Sequence, residues 1–435
     1  MVMLRRAQWL LVVLMAGLAG PALAVTLQAG DIIVVDAGRA APAVPVRVIR
    51  IDPASGAQEV ISSGGQLLAP AAISVERANT ILIAGIEASG RGSVVRVDPA
   101  GGSQTVLSTP YAGLSGLTIR ASDGSIFVTD PKDRAVYRVN PTSGARTAVG
   151  IGPALLFPQA IAAAPDGLLY IADFGSTWRT VRINPANGNA SPLSPSFQLA
   201  AGLAASPGAL WVADSVGRSL TRVDLNTAAQ SVLSSGNELL FPYALAVGPG
   251  DQLLVADWGS ETVAAAVVRV DRTTASQSVV SRGGLLVQPR GIAVVPARCA
   301  NGADDDGDGL ADFPSDPGCA SSDDDSEKSP SLVCDDGIDQ DGDGTIDRPA
   351  DPGCKDRSSN KENPQCQDGL DNDGDGKFDF DGGAAANGGI ALGPLDPQCE
   401  FKPSRDKEAP STCGLGAEII LPAGFAWIWR RRSRR

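Results

Sequence analysis

Residues 209–236 read ALWVADSVGRSLTRVDLNTAAQSVLSSG. Three runs of strand length, ALWVAD, SLTRVD and QSVLSS, are separated by short segments of Gly, Ser, Asn and Asp, the pattern of strands joined by tight turns. The middle run has five relatives: RID at Arg50, RVD at Arg96, RVN at Arg138, RIN at Arg182 and RVD at Arg269, which with Arg222 are spaced at 40 to 47 residues. The first run recurs as SIFVTD ending at Asp130, LLYIAD at Asp173 and QLLVAD at Asp257. Upstream of it stands a further phrase, PQAIAA from Pro158, PYALAV from Pro242 and PRGIAVVP from Pro289. Each unit therefore offers four short strands.

Four strands in every 40-odd residues are the signature of a propeller blade, and six Arg phrases give six blades. The ends of the repeat region complement one another. The first unit starts at DIIVVD (31–36) without an innermost strand, while PRGIAVVP (289–296) is an innermost strand with no blade after it. Joined in one blade they would close the ring and leave no open edge, whereas the competing arrangement, a linear solenoid, would leave both unpartnered. The expected fold is all-β: a six-bladed β-propeller over residues 25–297, closed by N- and C-terminal strands in one blade, followed by a loop-rich stalk stabilised by disulfides and calcium.

In composite these phrases, PxGIAVxPDGxLYVADxGSxxVxRVDPxTG, resemble the NHL repeat and the SMP-30/gluconolactonase-like six-bladed propellers over about residues 30–297. The Asp ending each VAD phrase reads as a structural group that bonds turn amides. The chain has no His, which excludes mechanisms that need an imidazole base or ligand. The lactonase resemblance implies acids and Asn from several blades converging on a divalent ion at the channel mouth. Here Ala201 stands at the Asn position of that family's NGLAxSPDG phrase, and the innermost strands end in Glu76, Arg120, Ala164, Ser206 and Gly248, which is no convergent acid set. A secreted metal-dependent hydrolase is thus the alternative to a binding module. For a binding face, Trp178, Trp258 and Tyr243 are the candidate contacts, while Trp211 falls inside a strand and reads as core.

The net charge of -13 is set by the segment from 299 to 413, with about 29 acids against about 9 bases. Nothing in this balance favours nucleic acid, whose phosphates need clustered Lys and Arg. The acids fall into three copies over residues 298–409. Cys299 leads through DDDGDGLAD to DPGC at Cys319, Cys334 through DQDGDGTID to DPGC at Cys354, and Cys366 through DNDGDGKFD to DPQC at Cys399 after a Gly- and Ala-rich insertion. In each copy D-x-D-x-D-G-x-x-D lets alternate side chains turn inward on a hard cation. The candidate calcium ligands are Asp304, Asp306, Asp308, the Leu310 carbonyl, Asp312 and Asp316; then Asp339, Asp341, Asp343, Asp347 and Asp351; then Asp371, Asp373, Asp375 and Asp379. The loops resemble those of EF-hands, dockerins and thrombospondin type 3 repeats, but the twelfth position is Ser315, Ala350 or Gly383 instead of a bidentate Glu. An acid follows one place later at Asp316 and Asp351, and the third copy offers Asp381 instead. Cysteines bracket each loop, so the expected pairs are Cys299–Cys319, Cys334–Cys354 and Cys366–Cys399, although spacing alone leaves other connectivities open.

The first 24 residues carry Arg5 and Arg6, an apolar run and Ala22-Leu23-Ala24, which together read as a secretory signal cleaved after Ala24. Residues 410–435 hold Cys413, a short apolar run and five terminal arginines, and resemble the C-terminal sorting tails of bacterial surface proteins. The resemblance implies sorting machinery and a membrane as partners, with Cys413 as the processing or attachment point. The sequence thus describes an exported protein of the bacterial surface or outer membrane, whose propeller binds a protein or glycan.

Overall fold

The computed structural model describes residues 25–39, 43–76, 80–152 and 154–408. Ala24 with the expected signal sequence, and Cys413 with the expected sorting tail, lie outside the described residues. The chain divides into two compact units, one ending at Glu327 and the other beginning at Lys328. The first holds the propeller and the first acidic repeat, the second the other two repeats.

Six antiparallel sheets of four strands form the propeller. Five are built in chain order, as in the blade of Ala200–Ser206, Ala209–Asp214, Ser219–Asp224 and Gln230–Ser235. The sixth joins the two ends. Pro289–Val294 pairs antiparallel with Ile32–Asp36, Ile32 opposite Val294 and Val34 opposite Ile292, and Arg47–Ile51 and Gln58–Ser63 complete the sheet. The innermost strands contact one another in a closed ring, so the expected closure in one blade is what forms.

Burial follows position in the blade. Each second strand is covered on both faces by neighbouring sheets, so IIVVD, SIFVTD and ALWVAD are buried at every residue, and for that reason read as continuous apolar runs. Each fourth strand lies at the rim, and Arg146–Ile151 and Gln230–Ser235 bury only their fifth residue. The core is accordingly divided into six clusters, one at each interface between neighbouring blades, including the interface that closes the ring. Fully burying each Val, Leu or Ile contributes roughly 1.5–3 kcal/mol.

Polar contacts fix the blades against each other. Gln104 Nε2 donates to Ser62 Oγ and the Gly64 carbonyl of the preceding blade, each at 3.0 Å, and Gln58 repeats this towards Ser281 at 2.8 Å across the closing interface. The recurring arginine also reaches the next blade, Arg96 to the Pro141 carbonyl at 2.9 Å and Arg269 to that of Pro53 at 2.8 Å. Where the turn after it approaches the preceding rim strand the backbone takes a positive φ; a Cβ on Gly144 (φ 68°) would come 1.8 Å from the Leu107 carbonyl oxygen, whereas Ala228 and Ala275 hold the corresponding turns of the last two blades at φ 59°.

The Asp that ends the second strand is buried in five blades and accepts amides of the loop before the innermost strand. Asp214 takes the N–H groups of Gln198, Leu199 and Gly217 at 2.8 to 2.9 Å, and Asp257 those of Leu240, Phe241 and Gly259. Asp36 does the same for Val287 and Gln288 across the closing blade. In the second blade Gly85 stands at this position, opposite Ser93 as Asp130 stands opposite Ala135. Replacing Asp214 by Ala would strand three amides, and the expected loss is about 3 kcal/mol of stability, measurable as a lowered midpoint in thermal or urea unfolding.

Candidate functional site

The three acidic repeats share one frame. In each, the first acid of the loop folds back on its own backbone: Asp304 accepts the amides of Gly307 and Gly309, Asp339 those of Gly342 and Gly344, Asp371 those of Gly374 and Gly376, at 2.6 to 3.1 Å. This curls the loop until one oxygen from each of Asp304, Asp306 and Asp308 lies within 4.8 Å of the others, and likewise for Asp339, Asp341 and Asp343. The ninth-position acid has a positive φ, 58° at Asp312, 50° at Asp347 and 42° at Asp379. Its carboxylate caps the turn after the leading cysteine by accepting the amide of Gly302, Gly337 or Gly369, at 2.7 to 2.9 Å. The Leu310 amide donates to Asp308 at 2.6 Å.

A second layer was not legible in the loop motif. Glu327 accepts the amides of Asp305 and Asp312, Glu362 those of Gln340 and Asp347, and Glu408 those of Asn372 and Asp379. Each glutamate is buried and ties the start of its loop to the end. It also lies beside the acid of the DPGC or DPQC phrase: oxygens of Asp316 and Glu327, of Asp351 and Glu362, and of Asp396 and Glu408 come within 4.8 Å of each other. The sulfurs of Cys319, Cys354 and Cys399 stand in the same groups but are held in disulfides.

In the third repeat the acid in this role is Asp396. Asp381, the residue expected there, accepts the amides of Gly383, Ala384 and Ala385 instead. The insertion loops out between Phe378 and Leu395, which form a bridge, so Asp396 N donates to the Asp379 carbonyl at 2.9 Å as Asp316 N does to Asp312 and Asp351 N to Asp347. The three expected disulfides are present, with Cα atoms 5.3 to 5.7 Å apart. Closing loops of this length removes roughly 3 kcal/mol of unfolded-state entropy each.

The carboxylates press on one another. Glu362 is pushed up to about 7 by burial and then by Asp351 and Asp341, against the pull of its two amide bonds. Asp341 is raised to about 6 by burial, with Asp343, Asp351 and Asp339 adding to it, and Asp379 to about 7 by burial, then Asp368, Glu408 and Asp381. Oδ1 of Asp379 and Oδ2 of Asp396 are buried and accept no hydrogen bond. Buried anionic oxygens without donors are costly unless a cation faces them. These clusters can hold a metal ion.

The propeller offers a different surface. Trp258 stacks between Phe241 and Tyr243, ring centroids 5.2 and 4.2 Å away, and the Arg290 guanidinium lies 4.3 Å from its ring while donating to Tyr243 Oη at 3.1 Å. Arg290 also lines a cavity of about 700 Å³ with Arg39, Lys132, Gln159 and Gln288. Trp178 packs on Phe174, and Trp211 is buried with its indole N–H on Ser206 at 3.0 Å, as its place in a strand implied. At the opposite ends of the innermost strands Glu76 is held by Arg96 at 2.6 Å and Arg120 by Asp123, and among the described residues lining that channel mouth there is no carboxylate.

Fold and site together define a six-bladed β-propeller followed by disulfide-closed acidic repeats. No protein-family model and no curated protein matches the chain. Among solved structures, 61% of the chain is similar to 97% of a chain in the crystal structure of a nidogen/laminin complex, with a TM-score of 0.52 and 15% identity. It is also similar to 66% of TolB from Acinetobacter baumannii, with a TM-score of 0.48 and 16% identity. At these identities the likeness is one of fold.

The exchanged roles of Asp381 and Asp396 separate by mutation. Asp396→Asn should weaken divalent-cation uptake by the third repeat roughly tenfold or more, and Asp381→Asn should leave it nearly unchanged, read by cation titration of the two variants.

Proposed function

We propose that this chain is an exported, surface-tethered binding protein, whose propeller recognises a protein or glycan and whose acidic repeats form a calcium-ordered stalk. The observation that carries the calcium reading is the triple recurrence of a DPGC or DPQC acid beside a buried glutamate, with the loop acids of the first two repeats also gathered and buried oxygens of Asp379 and Asp396 accepting no hydrogen bond. Donors that are all hard oxygens favour calcium, and the short loops without a twelfth-position Glu suit the weak affinities of extracellular modules, roughly 0.1 to 1 mM. Three disulfides fit the oxidising compartment that the signal-like N-terminus implies. In this reading the sorting-like tail with Cys413 carries the protein to a bacterial surface or outer membrane, from which processing would release it.

For the propeller, binding is favoured over hydrolysis because no acids converge among the described residues that line the channel mouth, while the other face presents Trp258, Tyr243 and Arg290 beside a cavity. Aromatic and Arg side chains of this kind are the usual anchors of an interface. A similar fold occurs in the structure of the nidogen/laminin complex.

Calorimetric titration of the oxidised full-length protein with calcium is expected to give heat for two or three sites. Digestion of the repeats by protease should slow with calcium and recover with chelator. No heat up to several millimolar would mean a solvated acidic linker and overturn the calcium reading.

A further inference from the structure

The second and third repeats also differ in the phrase that closes them: the second reads Asp351-Pro352-Gly353-Cys354, the third Asp396-Pro397-Gln398-Cys399. At Gly353 a Cβ would come 1.8 Å from the Glu362 carbonyl oxygen and 2.9 Å from Oε1 of Gln367. The side chain that occupies this space is borrowed. Gln367 follows the leading cysteine of the third repeat, is 1% exposed, and reaches back into the second. Its Nε2 donates to Asp343 Oδ2 at 2.8 Å and to Asp351 Oδ1 at 3.3 Å, joining a loop acid to the acid of the DPGC phrase.

In the third repeat the residue at the glycine position does this from within. Gln398 Nε2 donates to Asp373 Oδ2 at 2.9 Å, one loop acid earlier than the contact made by Gln367, and its backbone amide donates to Asp396 at 2.7 Å. Oε1 of both glutamines is buried and accepts no hydrogen bond. The second and third repeats thus each have one amide side chain bonded to the carboxylate cluster, supplied to the second, whose phrase has Gly, by the third, and to the third, whose phrase has Gln, by itself.

We propose that Gln367 and Gln398 are positioning residues of the cation sites, so that the second site is composite, completed by the third repeat, whereas the third is self-contained. This rests on the calcium reading of the repeats. Physically, an N–H group placed between carboxylates offsets their repulsion and holds their remaining oxygens toward a common point, as outer groups do for metal ligands in general. The composite site couples occupancy of the second repeat to order in the third, and by linkage the coupling acts in both directions.

The test uses the oxidised full-length protein with calcium alone as the probe, in double-mutant cycles. Gln367→Ala should weaken one site about 10- to 100-fold, the range for losing a group that orients metal ligands. It should have no further effect once Asp343→Asn has already disabled that site. Gln398→Ala should couple in the same way to Asp373→Asn and add independently to Asp343→Asn. Gln367→Met keeps the volume but not the N–H, and should behave like the alanine variant, deciding the matter if alanine perturbs folding. A calcium isotherm unchanged by Gln367→Met, or effects of Gln367 and Asp343 that simply add, would overturn the composite site while leaving the calcium reading intact. No calcium uptake by the wild-type protein would instead overturn that reading, and the positioning role with it.

Discussion

A carboxylate oxygen accepting a backbone amide is the bond on which both parts of this molecule depend. Chains built from short strands and loops leave many amides outside any ladder, and buried amides without acceptors are costly. In the propeller, Asp36, Asp130, Asp173, Asp214 and Asp257 take up those of the loops that lead into the innermost strands. In the repeats, Glu327, Glu362 and Glu408 take up those at both ends of each acidic loop. The buried acids are therefore architectural first, and the oxygens available to a metal ion are those left over when the amides are satisfied.

The two parts differ in what fills their interiors. All six apolar clusters lie between blades, and among the described residues none includes a side chain from the repeats. The large apolar residues of the repeats face outward, with Ile338, Leu370 and Phe401 exposed, while the six cysteines are buried. Disulfides and carboxylate bonds replace the missing core there. Such an interior has strong like-charge repulsion built into it, whereas the blade interfaces have almost none.

How far the sequence could be read depended on the distance over which each interaction acts. Blade boundaries were legible because the turn Asp or Asn after the Arg phrase and the Asp of the VAD phrase bond within a few residues or to the adjacent loop, and recur in register. The loop acids were legible for the same reason, being spaced two residues apart. Glu327 and Glu362 were missed because each lies 15 residues beyond the last loop acid, outside any short motif. Their signal was a glutamate eight or nine residues after the closing cysteine in every copy, with a proline two or three residues further on. Asp396 was hidden by the insertion, which sets 17 positions apart the partners that elsewhere are four apart. Gln367 could not be found by comparing copies, because it serves a repeat other than its own.

The way the ring is closed also decides how the molecule would carry load. The closing strand Pro289–Val294 is innermost, and the chain runs from its end past Pro296 to Ala300 and Asn301, which line the channel mouth. A pull on the segment that follows therefore enters at the hub and not at the rim. It acts along an innermost strand held by a ladder to Ile32–Asp36, so the hydrogen bonds of that ladder share the force in shear instead of opening one after another. Closing the ring with the last strand at the centre makes the blade that joins the two ends the mechanical anchor of the propeller.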